Sequence, residues 1–166
     1  RADSAAELRT LAEGLSLLDA ARLDKADEQL LYQRAAVRAS LLYRLALAQT
    51  EDVSIEPAVR RATWQRAVDS CHEVLRRLPA DVEDYLRVRL RCLTRLQYGY
   101  LELGDAPQSI ITGQNLLQLL DAHLASGDLR HAQVRAALGR AHLQQGELPE
   151  AASRLDESLA AFDRAN

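Results

Sequence analysis

Two turn signals recur in this chain at one fixed distance: Gly104 and Pro107 reappear 42 residues later as Gly146 and Pro149. The same 42-residue offset links Leu96 to Leu138 and Leu101 to Leu143, and in two steps it links Ala67, Ser109 and Ala151. Leu75, Leu117 and Leu159 obey it, as do Leu78, Leu120 and Phe162. A leucine-rich chain matches leucine to leucine at many offsets, but glycine, proline and a small residue do not coincide so easily. The spacing therefore predicts a repeated helix-turn-helix unit, whose apolar faces are buried only when neighbouring units stack.

Composition restricts the elements to helices. Of 166 residues 48% are hydrophobic, with only 7 Gly and 4 Pro. Val and Ile are sparse, while Leu, Ala, Arg, Glu and Gln all favour helix over strand. This length suits one domain with a substantial core. The formal charge of -3 argues against a surface built to neutralise nucleic-acid phosphate. No apolar run reaches the ~18 residues of a membrane span, and no secretory leader opens the chain. Because it starts at Arg1 and contains no Met, the sequence reads as an excised piece or a processed product.

Seven helices are expected. Asp3 or Ser4 caps the first, which runs to about Arg22 with Leu8, Leu11, Leu15 and Leu18 on one face. Asp27 caps the second, which extends to about Thr50. Pro57 opens the third, and Pro79 stops it after Leu78. The fourth covers about Asp81 to Leu103, Pro107 opens the fifth, and Ser126, Gly127 and Asp128 close it and cap the sixth. Gly146 divides the sixth from the seventh, which runs through Leu155 and Leu159 to Phe162. Short connections imply antiparallel neighbours.

The stretch LGRAHLQQGELPEAASRL, residues 138–155, resembles the tetratricopeptide-repeat family. Leu138, Gly139, His142, Gly146 and Ala151 match the family's pattern, with His142 in place of the usual tyrosine. Leu96, Tyr100, Gly104 and Ser109 match it one repeat earlier, although Gln97 replaces the glycine and Gly113 a large apolar residue. Ala67, Val74 and Pro79 fit the earliest second helix, whose first helix aligns only after a shift of about twelve residues, Thr50 against Gly104. The family's usual period is about 34 residues, so a 42-residue unit is similar to its long-helix members, such as the kinesin light chain type and several bacterial peptide-sensing regulators. The resemblance implies an all-α protein of antiparallel helix-pair repeats stacked as a right-handed α-solenoid. A leading helix (1–24) would precede repeats at 25–79, 80–126 and 127–166. It also makes Gly139 the point where the first helix of a pair crosses the second near Ala151.

No catalytic constellation is present. His72, His123, His131 and His142 include no i,i+4 pair, and HEVLR at residues 72–76 lacks the second histidine of a zinc helix. The carboxylates occupy helix starts and solvent faces, and no glycine-rich loop could cradle a phosphate. Cys71 and Cys92 lack paired spacing and are expected as packed thiols. The sequence thus predicts no enzyme activity, no metal and no cofactor.

The family holds partners in a concave groove lined by the first helices. Aligning the repeats brings Arg44, Tyr98 and Arg140 to equivalent positions, with Val37, Arg91 and Gln133 two turns earlier. Ser40, Thr94 and Ala136 lie between these rows, and Ala48, Glu102 and Gln144 close the stripe. The expected partner site is therefore Arg44, Arg91, Thr94, Tyr98, Gln133, Arg140 and Gln144, and its arginines beside a tyrosine suit an acidic or C-terminal peptide segment. Of the 21 basic residues only Lys25 is lysine, a bias that genomic base composition also explains. The family's chaperone-tail clamp is not expected, since its asparagines are missing and Asn115 falls on an outer helix. The alternative is a self-associating, homodimeric or sensory segment of a larger regulator, because Leu148, Leu155, Leu159 and Phe162 leave the last helix apolar. RNA binding is disfavoured by the acidic balance despite Arg87, Arg89, Arg91 and Arg95. The cytoplasm of a bacterium is the default setting.

Overall fold

A computed structural model describes residues 2–20, 28–78, 85–125 and 128–165. Among these residues the regular elements are all helices: α1 (Ala2–Ala20), α2 (Glu28–Glu51), α3 (Pro57–Arg77), α4 (Leu86–Leu103), α5 (Ala106–His123), α6 (Leu129–Gln145) and α7 (Leu148–Ala165). The helix begins at Ala2, so Asp3 and Ser4 lie inside the first turn and not ahead of it. Asp27, Pro79, Asp81, Ser126 and Gly127, and the expected end of the first helix at Arg22, lie outside the described residues. The chain divides into two compact units, Arg1–Val88 and Arg89–Asn166.

In the first unit α2 is the central element, with α1 and α3 antiparallel to it. Leu11 and Leu15 bury the inner face of α1, while Leu8 and Leu18 flank them half-buried. Ion pairs join both ends of that contact, Arg44 Nη2 to Glu7 Oε1 at 2.8 Å and Arg38 Nε to Asp19 Oδ1 at 3.1 Å. Pro57 occupies the first turn of α3, where its missing N–H costs nothing. Between α2 and α3, the buried Trp64 ring meets Tyr43 edge-on at 5.6 Å, and its Nε1 donates to Thr50 Oγ1 at 3.0 Å. An indole placed this way buries a large apolar area without orphaning its donor. In the preceding loop, Ser54 donates both its N–H and its hydroxyl to Asp52 Oδ1, which holds that carboxyl below the ordinary range.

The second unit is built from two helix pairs, α4–α5 and α6–α7. Their turns, 42 residues apart, have one geometry. Gly104 (φ +77°) and Gly146 (φ +79°) adopt the left-handed backbone that side chains resist. Each closes the motif in which the glycine N–H reaches back three residues and the next N–H five: Gly104 to Leu101 O and Asp105 to Tyr100 O, Gly146 to Leu143 O and Glu147 to His142 O. Asp105 then caps α5 by accepting from the Gln108 N–H at 3.2 Å.

The two pairs solve the helix-crossing problem in opposite ways. In α6–α7 the first helix supplies Gly139, and a Cβ built there would lie 2.7 Å from Leu155 Cγ and 3.2 Å from the Ala151 carbonyl oxygen. In α4–α5 the corresponding positions are Gln97 and Gly113, so the bulk sits on the first helix and the glycine on the second. A Cβ on Gly113 would run into Gln97 Nε2 and come within 2.7 Å of Leu138 Cδ2. Gln97 is fully buried; its side-chain Nε2 donates to Val134 O at 3.2 Å, and its backbone carbonyl accepts from Ser109 Oγ at 3.1 Å. Gln97 and Gly113 thus exchange bulk between the two helices relative to Gly139 and Leu155 of the other pair.

Asp128 caps α6, accepting from the Arg130 N–H at 2.9 Å and from its guanidinium at 2.7 and 2.8 Å. Those bonds to Arg130 lower its carboxyl pKa from 3.8 to about 2. Asp128→Ala is expected to cost about 1 kcal/mol in chemical denaturation near neutral pH. A carboxyl depressed in the folded state contributes fully above the unfolded value and loses that contribution as protonation sets in. The difference between parent and variant should therefore shrink as pH falls from 3.8 toward 2.

Candidate functional site

The first helices of the two pairs, α4 and α6, lie side by side in the second unit. Gln144 Nε2 donates to the Leu101 carbonyl at 3.2 Å, and Arg140 Nη2 meets Glu102 Oε1 at 3.3 Å. Beneath them Leu101, Ala106, Ala137 and Ala141 form a buried cluster, and Tyr98 packs against it half-buried. The alanines let α6 approach closely, and that closeness brings the polar groups of both helices onto one surface.

Six of the seven expected partner-site residues belong to these two helices. Arg91, Gln133, Arg140 and Gln144 are exposed, and Thr94 and Tyr98 are half-buried. The Thr94 hydroxyl donates to Leu90 O at 2.9 Å, which leaves its oxygen as an acceptor. Arg140 is engaged with Glu102, so an incoming carboxylate competes with one already in place; an exposed pair of this kind contributes only ~0 to 1 kcal/mol. The seventh residue, Arg44, belongs to the first unit, where it is spent on Glu7 of α1.

Two of the four histidines, His131 and His142, take structural positions, and His72 and His123 are exposed. His131 is buried, with Nε2 3.1 Å from Asp121 Oδ1 and Nδ1 3.2 Å from the Asp128 carbonyl, and it fastens the start of α6 to the end of α5. His142 Nδ1 reaches Glu147 Oε2 at 2.6 Å across the Gly146 turn. Cys71 and Cys92 are buried free thiols. Among the described residues no three His, Cys, Asp or Glu side chains gather into a metal-binding group, and no helix is long and apolar enough to cross a membrane.

A cleft of about 290 Å³ opens above Leu31 and Ala35, walled by Arg34, Arg38, Arg77, Asp19 and Glu73. Its charges pair internally: Arg38 with Asp19, Arg77 with Glu73 at 3.1 Å, and Arg34 with the Asp19 carbonyl at 3.1 Å. These residues come from three helices and share no spacing in the sequence, which is why no motif announces them.

No protein-family model matches the chain, and no curated protein is significantly similar to it. Among solved structures, the chain is similar to a kinesin light chain from Podosopora anserina with nearly identical TPR-like repeats. That match has 15% sequence identity, covers 98% of this chain and 93% of that chain, and has a TM-score of 0.49.

Proposed function

We propose that the protein is a non-catalytic interaction module that holds a peptide or helix of a partner protein on the surface shared by α4 and α6. The observation that carries this reading is the polar fastening of these helices over an alanine floor, Arg140 to Glu102 and Gln144 to Leu101. On the same two helices Arg91 and Arg140 are exposed and Tyr98 is half-buried, which makes them available to a partner. Tyr98 is the anchor, an aromatic ring already supported from below, and Arg91 is the cation that meets a partner carboxylate. Arg140 contributes less, because Glu102 must give way before a new carboxylate takes its place.

An isothermal titration with the partner recovered by affinity capture tests the assignment. Tyr98→Ala should weaken binding by more than ~1 kcal/mol. Arg91→Ala should weaken it by about 0.5 to 1 kcal/mol, roughly twofold to fivefold in Kd, and the loss should shrink as salt is raised. Unchanged affinity in both variants would move the binding surface away from α4 and α6.

A further inference from the structure

Among the described residues, the cleft of the first unit carries one more cation than it has carboxylates. Arg34 and Arg38 of α2 and Arg77 of α3 line it together with Asp19 and Glu73. Arg38 gives its Nε to Asp19 Oδ1 at 3.1 Å, and Arg77 gives Nε and Nη2 to Glu73 Oε1 at 3.3 and 3.1 Å. Each of these two cations has a carboxylate of its own. Arg34 has none among the described residues: its Nη2 donates to the Asp19 backbone carbonyl at 3.1 Å, which neutralises no charge and leaves most of the guanidinium fork uncommitted.

The cations are also held in place. Arg38 is fixed at a second point, where its Nη1 donates at 3.3 Å to the hydroxyl of Ser70, a side chain 1% exposed. Arg34 rests on backbone, and Arg77 is tied twice to one oxygen. A ligand arriving here meets donors that are already ordered, so little side-chain entropy is lost on binding. The floor beneath them is apolar, with Ala35 buried and Leu31 half-buried.

From this we propose that the cleft binds a small aliphatic monocarboxylate, with its carboxylate on the Arg34 fork and its hydrocarbon body over Leu31. The excess of one positive charge selects a ligand with one negative charge. The second charge of a phosphate dianion would face the carboxylates of Asp19 and Glu73. A planar carboxylate also matches the parallel N–H groups of a guanidinium. At about 290 Å³ the cleft lies at the small end of ligand sites, with room for an acid head and one aliphatic side chain and not for a helix. A free organic acid and the C-terminal residue of a peptide offer this same chemistry. The cleft shares no residue with the surface proposed for Arg91 and Tyr98, so either assignment can fail alone.

The probe is N-acetyl-L-leucine, titrated into the full isotope-labelled chain while the Arg34 Nε–H and Leu31 amide resonances are followed by NMR. The shifts should saturate with a Kd of about 1 mM or tighter. Acetate, which has the head without the body, should bind roughly tenfold more weakly. N-acetyl-leucinamide, which lacks the charge, should not bind. Arg34→Gln should weaken the acid roughly tenfold or more, and Arg34→Lys should not restore it, because lysine keeps the charge and loses the fork. Arg91→Gln on α4 should leave it unchanged. A short acetylated peptide ending in leucine that binds as well as the probe would assign the cleft to chain ends, and binding of the probe alone would assign it to free acids. No saturation by about 20 mM would overturn the proposal. So would equal binding of the amide or of inorganic phosphate, or an unchanged Kd in Arg34→Gln. Melting curves verify the fold of the variants, and the comparison of acid with amide needs the parent alone.

Discussion

Gly113→Leu is expected to destabilise the protein by about 3 kcal/mol, the upper part of the range for overpacking a filled core. The new side chain would collide with the buried Gln97 amide and with Leu138, so two helices are displaced at once. Gln97→Gly alone should cost about 2 kcal/mol, since it leaves a void, removes the bond to Val134 O and lowers helix propensity. Together the two changes give α4–α5 the arrangement that α6–α7 uses, glycine on the first helix and leucine on the second. The double variant should therefore be less destabilised than the sum of the singles by about 1 to 2 kcal/mol. Rescue stays partial because Leu138 still presses on position 113. Chemical denaturation of the four proteins measures the coupling, and strictly additive losses would mean that Gln97 and Gly113 do not compensate one another.

Gly139→Leu should destabilise by ~1 to 3 kcal/mol even though leucine is the better helix former. The deciding contact is the Ala151 carbonyl oxygen, 3.2 Å from the position a Cβ would take, because backbone cannot turn aside. Leu155 is closer, at 2.7 Å, but it is a half-buried side chain and can rotate. Gly139→Ala should consequently cost less than Gly139→Leu. A thermal melt in which the leucine variant equals the parent would remove the close crossing from the account.

Part of this architecture is legible in the sequence, and the division has a physical basis. Gly104 and Gly146 mark their turns because a left-handed residue selects glycine locally, whatever the rest of the chain does. Asp128 is legible for the same reason, since a cap depends only on the next few residues. Gly139 is legible through its match to a known pattern. The exchange at Gln97 and Gly113 reads only as two irregularities, because their compensation exists solely where α4 crosses α5. The proposed partner site divides in the same way. Its positions on α4 and α6 follow from helical register, but Glu7 beside Arg44 and Glu102 beside Arg140 depend on crossings between helices 37 and 38 residues apart in sequence. Register shows which residues share a face, and leaves open which of them are already engaged.

The most direct test of the interaction surface is site-specific photocrosslinking in lysate, with a benzophenone amino acid placed at Tyr98 and, in a second protein, at Ile111 of α5. Partner binding across α4 and α6 predicts a discrete protein adduct from position 98 that Arg91→Glu abolishes, with none from position 111. An adduct from position 111 alone, or one from position 98 that survives Arg91→Glu unchanged, would contradict the account.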